Sequence, residues 1–235
     1  MSSDALSVSV ILAVKNGARF LRETLESVLA QTRTPLEIIV TDDQSTDTTR
    51  SIAESFGAPV RYICNDPPLG IAGSRNSGIR LARGELIAFT SHDDLWLPEK
   101  LQRQCDAFAC EPDLECCLTH LRCFTDANEA ATPAAFPNDL LERDVPGWVI
   151  ETLVARRSAF QRAGFFDESF VQGDDTEWYA RVRQLGLATL MLPDVLVRKR
   201  LHSRSVTYGA TKPGVAKRET LEIARRMIAA RRGES

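Results

Sequence analysis

Apolar, β-branched runs alternate with segments of helical period through the first half of the chain, and that rhythm limits the fold more than any other feature. "SVSVILAV" (7–14), "LEIIV" (36–40), "VRYIC" (60–64) and "ELIAFT" (85–90) carry few polar interruptions, as strands covered on both faces do. Between the first two, Phe20, Leu21, Thr24, Leu25, Val28 and Leu29 recur with helical period, which predicts an amphipathic helix over 19–31. Thr46 or Asp47 can cap a second helix running to about Phe56, where Gly57 stops it. "GIAGSRNSGIRLARG" reads as a glycine-rich turn leading into a short helix closed by Gly84. Strand–helix alternation of this kind predicts an α/β fold with a mostly parallel central sheet flanked by helices.

Beyond Asp94 the pattern loosens. Pro98 suits the first turn of a helix with Leu101, Cys105 and Phe108 on one face. "ECCLTHLRCF" and "WVIETLVA" read as strands, 125–147 as a loop, and "DDTEWYARVRQLG" as a helix ended by Gly186. "LATLMLPDVLVRKRLH" predicts one or two strands. With 235 residues, 43% of them hydrophobic, the chain suffices for one core. The expected organisation is one domain with a nucleotide-binding half (7–95), a smaller acceptor-side half (96–210) and a basic helical tail (211–235).

A net charge of -3 supplies no global basic field, which argues against nucleic acid as a partner. Neither a basic leader before a long apolar stretch nor a membrane-length apolar segment is found, so a cytoplasmic protein is expected. Five of six cysteines fall between Cys105 and Cys123 at spacings unlike a zinc ribbon, and are expected as reduced, partly buried small side chains.

Two doubled acids, Asp42-Asp43 and Asp93-Asp94, end the second and fourth predicted strands. Adjacent carboxylates repel, so a cation is expected against them. If the first strand lies between the second and fourth, both pairs face one crevice at the carboxyl ends of the strands, together with Arg75 from the glycine-rich turn. Acids and anion-binding groups in one cleft are reconciled by Mg²⁺ or Mn²⁺ bridging carboxylate to phosphate. The alternatives are structural: turn or helix-cap roles for both pairs.

The stretches "SVSVILAVKNG…FLRETLESVLAQT…LEIIVTDDQSTDTT", "GIAGSRNSGIRLARGELIAFTSHDDLWLPEKL" and "LVARRSAFQRAGFFDESFVQGDDTEWYARVRQLG" resemble family-two glycosyltransferases of the GT-A fold, in order over roughly residues 7 to 207. That resemblance implies inverting transfer of a sugar from a nucleoside diphosphate to a hydroxyl acceptor, with Mn²⁺ or Mg²⁺ on the diphosphate. It places Asp43 at the donor base, Arg75 near the nucleotide, Asp93 by the ribose and sugar, and Asp94 on the metal. In "GDDTEW", Asp175 takes the place of the catalytic base with Asp174 supporting it; a helix N-cap is the alternative for Asp175. Arg200, His202 and Ser205 match a terminal R-x-H-x-x-S stretch, with His202 at the metal or diphosphate, or else a hydrogen-bonded surface residue.

The chain departs from the family pattern at three positions. Ala13 and Lys15, which border the base, stand where Pro and Tyr are usual, so UDP is the default donor nucleotide with dTDP or GDP open. Ser91 stands in place of the first acid of D-x-D. A sugar-phosphate nucleotidyltransferase would want more glycines than "AVKNGARF" supplies, and neither GxxxxGK nor GxGxxG is present. A non-catalytic sugar-nucleotide-binding homologue would not need Asp43, Asp94 and Asp175 together. The basic tail is expected to pack on the sheet, to form a homodimer contact, or to lie on an anionic membrane through Leu221, Ile223, Met227 and Ile228.

Overall fold

The computed structural model describes residues 6–126, 139–202 and 215–232. The first half runs β1 (Val8–Val14), α1 (Leu21–Leu29), β2 (Glu37–Asp42), α2 (Thr49–Glu54), β3 (Val60–Cys64), α3 (Gly70–Leu81) and β4 (Leu86–Ser91). The second half runs β5 (Leu95–Trp96), α4 (Lys100–Cys110), β6 (Cys116–Phe124), β7 (Val145–Pro146), β8 (Val154–Arg156), α5 (Arg157–Ala163), α6 (Asp174–Gln184), β9 (Thr189–Arg200) and α7 (Val215–Arg232). All strands join one sheet in the order β3-β2-β1-β4-β8-β6-β9-β5, with β7 paired to β6. β1 lies between β2 and β4 and is parallel to both, as the two-acid crevice requires. β8 and β5 run antiparallel to their neighbours, so the sheet is mixed and mostly parallel.

Both faces are covered. Val10 and Leu12 of β1 point into one core with Leu21, Leu25 and Leu101, whereas Ile11 faces Ile39, Phe89, Phe160 and Trp178 on the other side. This explains why the strand reads as continuously apolar. Cys105 and Cys117 pack in the first core and Cys116 in the second, where burial raises the Cys105 thiol to about 11 and the other two to about 12.

Two local expectations change. The glycine-rich stretch is not a turn; helix α3 begins at Gly70 itself. Gly70 takes φ +70, and a Cβ at Gly78 would stand 2.5 Å from Ile11 Cγ2, so these glycines start the helix and let it lie close on β1. "WVIETLVA" is strand only from Val154; Ile150–Thr152 forms a 3-10 turn because Thr152 Oγ1 donates to the carbonyls of Gly147 and Val149. The one or two strands expected over 187–202 form one long strand, β9, which pairs in parallel with β6 through a register shift near His120. The predicted 125–147 loop is described from 139, and Ser205 lies outside the described residues.

Helix α7 docks on the segment before α6. Arg226 Nη1 donates to Asp167 Oδ2 at 2.7 Å, and Ile223 is buried while Leu221 is half exposed. Ile223 is therefore packed against protein rather than offered to a membrane. Among the described residues no helix is long and apolar enough to cross a bilayer.

Lys100 of α4 is fully buried: its Nζ donates to Gln104 Oε1 at 2.9 Å and stands 4.1 Å from the centre of the Trp96 ring. Burial lowers its pKa from 10.5 to about 7. Above pH 7 the folded state holds a neutral amine while the unfolded chain still binds the proton, so stability rises with pH from 7 towards 10.5. Thermal denaturation is expected to show that Lys100→Met raises the melting temperature at pH 7 and that this advantage shrinks by pH 8.5; an equal gain at both pH values would contradict the buried neutral amine.

Candidate active site

One cavity of about 590 Å³ opens at the carboxyl ends of β1 and β4 and extends towards α6 and α7. Its lining includes Ala13, Arg75, Ser91, Asp93, Glu151, Asp174, Asp175 and Lys199, with Trp148, Val149 and Ile223 on an apolar side. Strands β1 and β4 thus deliver one edge of the site and the first turn of α6 the other.

The turn after β4 is built around its two acids, which point in different directions. Asp94 is 1% exposed; its Oδ1 accepts the Arg200 N–H at 2.8 Å and its Oδ2 lies 3.2 Å from Lys199 Nζ. Burial, opposed by Lys199, raises its pKa to about 7. Asp93 lines the cavity, with Oδ2 2.9 Å from His202 Nε2. Burial would raise the Asp93 pKa, but His202, His92 and Lys199 outweigh it and bring it to about 2. Burial keeps the neighbouring His92 below its usual pKa. Thr24 of α1 fixes the turn from beneath, its hydroxyl 2.9 Å from the carbonyl oxygens of both His92 and Asp94. Positive charge from the protein itself thus stands against this doublet, and Lys199 of β9 supplies it.

The two acid pairs do not converge on one point. Asp42 is fully buried and accepts from Ser45 N, Ser45 Oγ and Tyr62 Oη at 2.6–2.8 Å. Asp43 accepts the N–H groups of Leu69 and Gly70 at 2.6 and 3.2 Å, capping α3, with Lys15 Nζ 3.6 Å away. Neither Asp43 nor Asp94 lines the main cavity. The physical reason is that Asp42, Asp43 and Asp94 all spend their carboxylates on holding the chain, where buried donors demand an acceptor.

The acidic pair of α6 sits in the helix's first turn. An aromatic cluster holds that helix down: Trp178 stacks on Phe160 at 4.7 Å and donates from Nε1 to Gly164 O. Asp174 is 1% exposed and accepts from Arg75 Nη1 at 2.5 Å. Burial opposes the Arg75 charge, but Asp174, Asp175 and Glu151 prevail and hold it protonated. Asp175 is half-buried at the cavity wall, and burial, reinforced by Asp174, raises its pKa to about 6. Its Oδ1 also accepts the Thr176 N–H at 2.7 Å, so the capping role weighed for Asp175 is present as well. Glu219 of α7 gathers the N–H groups of Val171, Gln172 and Gly173 at 2.6–3.1 Å, securing the approach to this turn.

Three lining residues escaped the sequence reading: Glu151, Lys199 and Trp148. Lys199 Nζ lies 3.2 Å from Asp94 and 3.4 Å from Glu151, and Ser91 Oγ donates to Glu151 Oε1 at 2.5 Å. Burial would raise the Glu151 pKa, but Lys199 and Arg75 hold it below its usual range. The available signal was a single acid inside the otherwise apolar "WVIETLVA". Among the described residues no three His, Cys, Asp or Glu converge closely enough to hold a metal unaided.

A family model described as Glycosyl transferase family 2 matches residues 9–166. An uncharacterised glycosyltransferase of Rickettsia typhi is 31% identical over 219 residues, covering 86% of this chain and 66% of its own length. The Escherichia coli UDP-Glc:alpha-D-GlcNAc-diphosphoundecaprenol beta-1,3-glucosyltransferase WfgD is 35% identical over 102 residues, 43% of this chain and 40% of its own. Among solved structures, S. aureus TarS 1-349 in complex with UDP-GlcNAc matches with a TM-score of 0.71 at 17% identity, over 94% of this chain and 65% of that one. The same protein with UDP matches with a TM-score of 0.65. The chain spans about two thirds or less of the length of these relatives and neighbours. The structural likeness establishes a GT-A fold, and with the family match across most of the strand–helix repeat, the chain belongs to glycosyl transferase family 2.

Proposed function

We propose that this chain transfers a sugar, with inversion, from a UDP-linked donor to a hydroxyl acceptor. The observation that carries the reading is one cavity gathering Asp93 from the turn after β4 and Asp175 from the first turn of α6. In support, TarS of the same fold has been solved with UDP and with UDP-GlcNAc, and WfgD is named for a UDP-Glc donor.

A hydroxyl is a weak nucleophile until its proton has somewhere to go. Asp175, ionised above about pH 6 and facing the cavity, accepts that proton as the acceptor oxygen attacks. Arg75 holds Asp174 beside it and keeps the helix turn oriented. Trp148, 55% exposed with its ring edge-on to Tyr179, gives the acceptor a flat apolar wall. On the donor side, Ala13 leaves room beside β1, and the Lys15–Asp43 pair, 3.6 Å apart outside the cavity lining, would meet only a nucleotide base that reaches beyond it.

The residues present fit a divalent cation. Asp93 is ionised and lines the cavity, His202 offers an imidazole nitrogen beside it, and Mn²⁺ or Mg²⁺ takes few protein ligands when diphosphate oxygens complete the shell. When bound, the cation neutralises charge gathering on the diphosphate. Asp93 and His202 would hold it; the role expected of Asp94 passes to Asp93, because Arg200 and Lys199 already occupy the Asp94 oxygens.

Three kinds of measurement test this. In a thermal-shift screen of UDP-, dTDP- and GDP-sugars with and without Mn²⁺, UDP-sugars with Mn²⁺ are expected to stabilise most; no stabilisation by any nucleotide would remove the donor reading. Asp175→Asn is expected to lower turnover at least about 100-fold with UDP affinity retained, and the wild-type rate to fall as pH drops below about 6, where Asp175 gains its proton. Full activity in the variant moves the base elsewhere. By calorimetry, Asp93→Asn is expected to abolish the Mn²⁺-dependent tightening of UDP. Asp94→Asn keeps that tightening and instead lowers the melting temperature by roughly 5 °C, the cost of losing a charged buried hydrogen bond. The reverse pattern would return the metal to Asp94.

A further inference from the structure

Glu151 is a buried carboxylate for which the transfer step above has no use. It is 5% exposed, yet it lines the cavity. Burying a carboxylate is unfavourable unless partners compensate, and the surrounding run would suit another apolar side chain. The 3-10 turn at Ile150–Thr152 instead carries it inward, held by Ser91 Oγ at 2.5 Å on one oxygen and Lys199 Nζ at 3.4 Å from the other. An ionised carboxylate offers about four acceptor positions, so these contacts leave acceptor capacity towards the cavity.

Position 91 makes the placement informative. The first acid of the D-x-D pattern is missing there, and the serine in its place donates to Glu151. A carboxylate absent from the end of β4 is thus returned, within one hydrogen bond, by a different element. The Glu151 charge acts on Asp175 and Arg75 on one side and on Asp94 on the other. Bonded to Ser91 at the end of β4 and sharing the cavity wall with Asp175, it stands where a transferred sugar would lie.

We propose that Glu151, oriented by Ser91 and Lys199, reads the hydroxyls of the transferred sugar and selects donors whose sugar carries adjacent free hydroxyls. Two adjacent hydroxyls donate to the Glu151 carboxylate, which Lys199 keeps ionised. The inference rests on the sugar-nucleotide reading of the same cavity, and UDP, which lacks the sugar, separates the two.

The test measures dissociation constants for UDP, UDP-glucose and UDP-GlcNAc in Mn²⁺ by calorimetry. In Glu151→Gln, UDP affinity is expected to stay within about twofold while the tighter UDP-sugar weakens about tenfold or more, as loss of a hydrogen bond to a charged acceptor predicts. Adding Ser91→Asp to that variant, which restores a carboxylate from β4, is expected to recover most of the loss. Equal weakening of UDP and UDP-sugar, or no change in either, overturns the proposal and leaves the donor reading standing. Wild-type protein that binds none of the three overturns both. If Glu151→Gln does not fold, Ser91→Ala serves in its place: a selective loss for the UDP-sugar supports the proposal, and an unchanged ratio overturns it.

Discussion

Arg200 joins the two halves of the molecule. Its backbone N–H donates to Asp94 Oδ1, its Nε donates to the Asp93 carbonyl at 2.9 Å, and its guanidinium lies between the rings of Phe20 and Phe124, 4.5 and 4.6 Å from their centres. Glu23 from α1 and Asp126 beyond β6 take its remaining donors. A planar, permanently charged group with five donors can satisfy this many partners while stacked on aromatic faces; a lysine ammonium cannot. Through this side chain the end of β9 fixes the turn after β4, and with it the direction in which Asp93 faces.

The rest of the site follows the same logic of paired charge in a dry setting. Arg75 is matched by Asp174, and Lys199 by Asp94 and Glu151. Each buried cation reaches a carboxylate from a distant part of the sequence, so the pairs order the site as well as neutralise it. Asp175 stands apart: burial and its acidic neighbour raise its pKa, while Asp93, among histidines and Lys199, is lowered. Two carboxylates lining one cavity are thereby driven to opposite ends of the acid range, the separation that the proposed transfer requires of a proton acceptor and a permanent anion.

The C-terminal helix belongs to this arrangement. Glu219 satisfies three successive amides ahead of α6, and Ile223 completes the apolar side of the cavity. A sequence reader sees a basic amphipathic tail and favours packing on the sheet or a dimer contact, with a lipid surface as the alternative. Glu219 and Arg226, one acid and one base, make the contacts with the segment before α6. Charge composition describes the solvent-facing side of a helix, and says little about the few positions that dock.

The amino-acid sequence by itself determined the parallel strand–helix repeat, because hydrophobic period and strand burial are local properties that β1 to β4 carry in their own residues. It also marked the acids at the strand ends and the pair opening α6, since such residues stand out against an apolar run. Only the tertiary structure decided that Asp93 faces the cavity while Asp42, Asp43 and Asp94 do not. That choice depends on donors arriving from β9, α3 and Tyr62, each far off in the chain. It likewise decided that "GIAGSRNSG" is helix, since the close approach of Gly78 to Ile11 is a contact between elements. Glu151 was hidden for the same reason: an isolated acid acquires meaning only when Ser91 and Lys199 come to meet it. Local pattern sets what each segment becomes, and long-range polar pairing sets where its few charged side chains point.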